Sequence, residues 1–213
     1  NAYGVTSDSG TIDVGGGAIP GSFTLSPGAI QCNSFGLNWG PGSTGADGYR
    51  VFRSDSGGVF NQIATTTATF YPDGSVSQNN SYNYFIRAYN TAGTRDSNTI
   101  GPTTTPYCPP TVNLKCNGQD GPINVTDGAI CSLTWTSTDT SGPTPCTASG
   151  GFWSGPGPRA VSNAVGEPSL PITSTTTFTL ICTGPGGSTA PLDFVDVVPG
   201  GSPLPGWIEI IPK

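Results

Sequence analysis

Tyr82-Asn83-Tyr84-Phe85-Ile86-Arg87-Ala88-Tyr89-Asn90, followed by a turn at Ala92-Gly93, decides the fold class. Tyr82, Tyr84, Ile86 and Ala88 fall on one side of an extended chain, and Asn83, Phe85, Arg87 and Tyr89 on the other. A repeat of two with one apolar side and one mixed side is the mark of an antiparallel strand that covers a core with one face. A helix would need its apolar residues at a spacing of three and four.

Similar runs lie on either side, separated by turn residues. Phe23-Thr24-Leu25 comes first. Phe35-Gly36-Leu37-Asn38-Trp39 alternates and stops at Gly40-Pro41-Gly42. Gly48-Tyr49-Arg50-Val51-Phe52-Arg53 follows, then residues 59–66. Further on, strand candidates are residues 111–115, Cys131-Ser132-Leu133-Thr134-Trp135, Phe152-Trp153, Thr177-Phe178-Thr179-Leu180-Ile181-Cys182 and residues 194–198. Leu-x-Trp occurs in both halves, at Leu37/Trp39 and Leu133/Trp135. An aromatic strand and a glycine turn close each half. This echo favours two similar sandwiches over one large barrel.

Composition agrees. The 213 residues include 32 Gly and 21 Pro, and only 9% are charged, against roughly 25% in an ordinary domain. The glycines have no period of three, which excludes collagen. Aromatic residues set within alternating stretches argue against disorder. The formal net charge is −6 with seven scattered basic residues. No cationic stripe exists to meet phosphates, so nucleic acid is not an expected partner. No apolar run approaches the ~20 residues of a membrane-spanning helix, and membrane insertion is not expected. The sequence has no Met and opens on Asn1-Ala2-Tyr3-Gly4. The expectation is a mature chain whose targeting segment has been removed.

The six cysteines are Cys32, Cys108, Cys116, Cys131, Cys146 and Cys182. An even count without Cys-x-x-Cys or histidine points to disulfides and an extracellular or cell-surface location, not to zinc.

Residues 22–106 resemble a fibronectin type III domain. The resemblance rests on Leu37-Asn38-Trp39, on Gly48-Tyr49-Arg50-Val51, and on Tyr82-x-Tyr84-x-Ile86-x-Ala88-x-Asn90-x-x-Gly93. It places Tyr82 at the family's corner tyrosine. Residues 112–199 resemble the Ig-like modules of bacterial surface proteins. That likeness is carried by Leu133-Thr134-Trp135, by residues 146–151, and by Thr176-Thr177-Phe178-Thr179-Leu180-x-Cys182-Thr183-Gly184. The family commonly has Tyr where Phe178 stands. The expected architecture is all-β, with two tandem immunoglobulin-like sandwiches. Residues 1–21 form an N-terminal arm, residues 107–111 a stiff linker, and residues 200–213 a C-terminal strand or tail. On such a pair of sandwiches Cys146 and Cys182 would lie on neighbouring strands. Cys116 would close on Cys131, and Cys32 on Cys108.

Reactive chemistry finds little support. Without histidine no Ser–His–Asp or Cys–His arrangement exists, so no enzyme and no cofactor are expected. Asp193 and Asp196 sit at i, i+3 in a strand and face opposite sides. Asp120 and Asp127 match no calcium loop. Trp39, Trp135, Tyr82 and Tyr84 read as core. Tyr71, Phe152 and Trp153 lie near Gly/Pro turns; packing under a loop is the favoured reading, and an exposed ring there would instead stack on surface glycans. Asn79-Asn80-Ser81 and Asn124-Val125-Thr126 are glycosylation sequons.

The arms hold the strongest functional clue. Thr11, Ile12 and Val14 in one, and Trp207, Ile208, Ile210 and Ile211 in the other, are β-prone runs outside either sandwich. Such a run adds to an exposed sheet edge, its own or a neighbour's. Head-to-tail addition without closure makes a filament. The expectation is a self-assembling subunit of an extracellular filament. The alternatives are a carbohydrate-binding or spacer module of a larger secreted enzyme, and a monomeric adhesin.

Overall fold

The computed structural model describes residues 17–40, 44–155, 157–189 and 193–200. The chain divides into two compact units, Asn1–Pro106 and Tyr107–Lys213. Every regular element among the described residues is a strand.

The first unit contains β1 (Leu25–Gln31), β2 (Ser34–Trp39), β3 (Gly48–Asp55), β4 (Asn61–Thr66), β5 (Phe70–Asp73), β6 (Ser81–Asn90), β7 (Gly93–Asp96) and β8 (Ile100–Thr104). One sheet runs β1-β2-β5 and the other β4-β3-β6-β7, with β8 also paired to β6. This is the strand order of a fibronectin type III sandwich. The strand β6 is the run quoted first. Its pairing with β3 extends from Gly48 opposite Tyr89 to Asp55 opposite Tyr82. Alternation sends Tyr82, Tyr84, Ile86 and Ala88 inward, onto Phe35, Leu37 and Trp39 of β2, Tyr49 and Val51 of β3, and Leu25. Each large side chain buried there stabilises by roughly 1.5–3 kcal/mol relative to exposure.

Tyr82 forms the expected corner, where the Ser77 backbone N–H donates to its hydroxyl at 2.8 Å. Tyr82→Phe keeps the ring and orphans that N–H. It is expected to cost about 1–2 kcal/mol, measurable as a lower urea midpoint with an unchanged slope.

The second unit contains β9 (Thr111–Cys116), β10 (Ile123–Val125), β11 (Ser132–Thr138), β12 (Cys146–Gly150), β13 (Pro158–Arg159), β14 (Ser162–Pro168), β15 (Thr176–Gly184), β16 (Gly187–Ser188) and β17 (Asp193–Pro199). One sheet runs β14-β11-β9 and the other β10-β17-β15-β12-β13, with β16 on β15. The chain changes sheets between β9 and β10, and β10 then runs parallel to β17. That crossing makes the unit an Ig-like sandwich. Its core joins Leu114, Leu133, Trp135, Ile172, Phe178, Leu180 and Val197 with Cys116, Cys131, Cys146 and Cys182.

Of the two readings of Trp153, packing under a loop agrees with the structure and the exposed sugar platform does not. Trp153 is 9% exposed, its ring meets Phe178 at 5.7 Å and Trp135 at 6.2 Å, and its indole N–H donates to Ser149 O. Phe152-Trp153 forms no strand; Trp153 makes a single bridge to Ser169. Tyr71 and Phe152 are half-buried. Phe178 is fully buried and has no hydroxyl for a corner bond.

Glycines let the chain entering the second unit lie close to the β15–β16 hairpin. A Cβ on Gly184 would meet Asp139 O at 1.9 Å and Pro110 Cγ at 2.9 Å, and one on Gly186 would meet Cys108 O at 2.1 Å. Pro110 is accordingly buried.

Candidate interaction surfaces

The buried carboxylate of the first unit is the natural place to look for chemistry. Asp73, at the end of β5, is fully buried. Its Oδ1 accepts from Ser75 N–H at 3.0 Å and Ser75 Oγ at 2.7 Å. Its Oδ2 accepts from Tyr84 Oη at 2.9 Å and Arg53 Nη1 at 3.0 Å. Burial pushes this carboxyl up, but the hydrogen bonds from Ser75, Arg53 and Tyr84 outweigh it and hold the group below its ordinary 3.8. Burial, and then the Asp73 charge, push the Tyr84 hydroxyl far above its usual range. Burial works against the Arg53 charge, yet Asp73 and Asp55 hold its pKa above the ordinary value. Four donors on one carboxylate satisfy it completely and leave no lone pair directed at a substrate. The cluster is a structural clasp between β5 of one sheet and β3 and β6 of the other.

Cys116 bonds to Cys131, and Cys146 to Cys182. Cys146 and Cys182 are directly opposite each other on β12 and β15. Cys32 and Cys108 are each disulfide-bonded as well, and no described cysteine is free. All six are therefore bracing residues.

The outer face of the β3–β6 pair is aromatic and cationic. Phe52 stacks on Phe85 at 4.6 Å with planes 2° apart, and Phe60 meets Phe85 edge-on at 5.0 Å. The Arg87 guanidinium lies over Phe52 and Phe85 at 5.2 and 5.6 Å and reaches Asp96 through two hydrogen bonds of 2.6 and 2.7 Å. Hydrogen bonding to Asp96 raises the Arg87 pKa, with burial opposing it. Arg50 lies over Tyr89 at 4.8 Å. Cation–π and stacked pairs of this kind hold residues on a half-wet surface.

The second unit has a similar pattern where Arg159 meets Glu167 at 2.7 Å and lies 5.4 Å over the Trp153 ring. An open depression of about 290 Å³ on its β14-β11-β9 sheet is lined by Asn113, Lys115, Thr134, Thr136 and Asn163 among others. These are amides, hydroxyls and one ammonium, a set that hydrogen-bonds but has no carboxylate to move a proton. Lys115 is paired with Asp120 at 3.1 Å. Among the described residues no three His, Cys, Asp or Glu side chains gather as a metal site. Asp196, across the sheet from Thr177, accepts its hydroxyl at 2.5 Å.

The arms are partly placed. Ala18 O accepts from Asn90 Nδ2 at 2.9 Å, Pro20 O accepts from Arg95 Nε at 2.6 Å, and Gly21 N–H donates to Thr44 O. The end of the N-terminal arm thus folds back on its own unit across the β6–β7 turn. Thr11, Ile12 and Val14, and likewise Trp207, Ile208, Ile210 and Ile211, lie outside the described residues. Asn79 and Asn124 are both exposed. Asn79 sits in a turn at φ 52°, and Asn124 in β10.

Large apolar side chains stand exposed beside sheet edges. They include Val165 in β14 at 95%, Val59 just before β4 at 81%, and Phe70 in β5 at 60%. Sequence reading missed these because exposure depends on which strand ends a sheet.

No family model and no curated protein matches the sequence. Solved structures with similar chains include the twitchin kinase region from C. elegans, at 19% identity and TM-score 0.38 over 41% of this chain and 17% of that one. A two-domain fibronectin type III segment of chicken tenascin is 12% identical at TM-score 0.40, over 84% and 99% of the two chains. The FN1–FN3 domains of chicken CNTN1 are 12% identical at TM-score 0.37, over 85% and 67%. This chain spans less than a third of the twitchin and titin structures. At these scores the likenesses carry no argument, and the fold rests on the strand orders above.

Proposed function

We propose that this chain is a structural subunit of an extracellular filament or surface appendage, assembled head-to-tail by adding a terminal strand of one copy to a sheet of the next. The observation that supports the reading most is the exposure of Val59 just before β4, a strand that ends its sheet. Exposed apolar residues beside unpaired backbone groups are what strand addition consumes. The tail provides a matching run in Trp207-Ile208-Glu209-Ile210-Ile211. Disulfides and tight sandwiches make a rigid link, and backbone hydrogen bonds along an added strand load in parallel. An oxidised cysteine set suits an extracellular setting. No catalytic role is assigned to any residue.

Electron microscopy of the purified full chain tests the reading, and long regular fibres are the expected result. Deleting residues 206–213 is expected to abolish them while leaving the melting of both units unchanged. Monomers by sizing at every concentration for the intact chain would end the proposal.

A further inference from the structure

Nine of the described strands end a sheet or stand beside its last strand, and all but one carry a feature that discourages pairing. In the first unit β1 has Pro27 and a register break, β5 has Pro72, β8 has Pro102, and β7 is four residues long with Arg95 and Asp96. In the second, β10 has three residues and β13 has two. There β9 carries Lys115, and β14 carries Glu167, Pro168 and a register break. The remaining edge is β4, Asn61-Gln62-Ile63-Ala64-Thr65-Thr66. It has no charge, no proline and no glycine, and three of its residues are β-branched. Its one irregularity is a register break at Ile63, opposite the Val51/Phe52 step. On one side it pairs with β3, and no described strand lies on the other. Ile63 and Ala64 are only partly covered where they pack on the core.

We propose that β4 is the acceptor edge and that its occupant is the run of residues 207–211 from a second copy. The inference rests on the strand-adding reading above and identifies its partner surfaces. Alternation in the donor puts Ile208 and Ile210 on one side and Trp207, Glu209 and Ile211 on the other. With the two isoleucines continuing the core beyond Ile63 and Ala64, Glu209 comes to the outer face of the sheet. Arg50 stands on that face, opposite Thr65 of β4. Its guanidinium lies over Tyr89 and makes no ion pair among the described residues. An acidic residue at the centre of the donor and a cation one strand inside the edge are complementary. Gly200 is still held by Val125 O, and the six residues Gly201-Ser202-Pro203-Leu204-Pro205-Gly206 that separate it from the run are long enough to span roughly 20 Å when extended.

Hydrogen exchange of the assembled full chain, read against the chain lacking residues 206–213, tests the acceptor. Amides of residues 61–66 are expected to slow by about tenfold or more on assembly. Fibres with those amides unprotected would overturn the β4 assignment and leave strand addition standing. Absence of fibres would overturn both. Gln62→Lys with Thr65→Lys changes two exposed edge side chains. It is expected to raise the protein concentration needed for assembly about tenfold or more without altering the thermal melt; unchanged assembly counts against the edge. For the occupant, Arg50→Glu and Glu209→Arg should each weaken assembly, and together restore it. Singles without effect, or a double that stays weak, would overturn residues 207–211 as the donor.

Discussion

Replacing Asp73 by alanine is expected to lower the stability of the first unit by roughly 3–5 kcal/mol, because it strips the partner from a buried charge network. The Arg53 guanidinium, the Tyr84 hydroxyl and the Ser75 N–H and Oγ all point at this carboxylate. Without it the Tyr84 hydroxyl is left in the core with nothing to donate to. Tyr84→Phe removes one donor and keeps the ring, so its cost should be smaller, about 1–2 kcal/mol. The two changes are not expected to add, since once Asp73 is gone the hydroxyl has already lost its acceptor. The pH dependence has a definite sign. The Asp73 pKa is lower in the folded chain than its ordinary 3.8. The contribution is therefore complete above that value and fades as pH falls below it. Urea melts of the wild type should weaken below about pH 4, and Asp73→Asn should flatten that part of the slope. Equal acid sensitivity in Asp73→Asn would remove Asp73 from the account.

Removing the Cys146–Cys182 bond by changing both residues to alanine is expected to cost the second unit about 2–5 kcal/mol. The bond closes a loop across a sequence separation of 36. In the chain-entropy account that length falls between the roughly 3 kcal/mol of a 15-residue loop and the roughly 4.7 of a 100-residue one. Both sulfurs lie in the core beside Trp135 and Phe178, so alanine also leaves unfilled space. The Cys116–Cys131 bond closes a shorter loop, with a separation of 15, and its removal should cost less. Calorimetry of the two double variants checks the order. The first unit should melt unchanged in both, because neither bond touches it. A larger loss from the shorter loop would show that packing, not chain entropy, dominates these bonds.

Much of the first sandwich could be read directly. The alternation in β6, the Leu-x-Trp of β2 and the Gly-Tyr-x-Val of β3 became strands with the stated faces inward. Tyr82 found its corner partner. Period-two patterns survive folding because one strand face must leave water whatever its neighbours do. Strand β5 escaped notice because Phe-Tyr-Pro-Asp contains a proline and a carboxylate, both signs against a strand. It is tolerated at an edge, where Pro72 needs no outward N–H and Asp73 turns inward to four donors. Strand β14 was hidden for a related reason. Ser-Asn-Ala-Val-Gly-Glu-Pro lacks alternation because it bulges against β11.

The candidate surfaces were less legible than the core. Local side-chain patterning by itself determined that the chain forms many short antiparallel strands, that its cysteines brace it, and that its tail is β-prone. Burial of alternate apolar groups and the chemistry of paired thiols depend on neighbours in the chain and on composition. Which strands end a sheet, whether Trp153 faces water or Phe178, and where Asp73 finds its partners were decided only by the tertiary structure. Each of these depends on contacts between residues remote in sequence, and the alternation within a strand says nothing about what lies across from it.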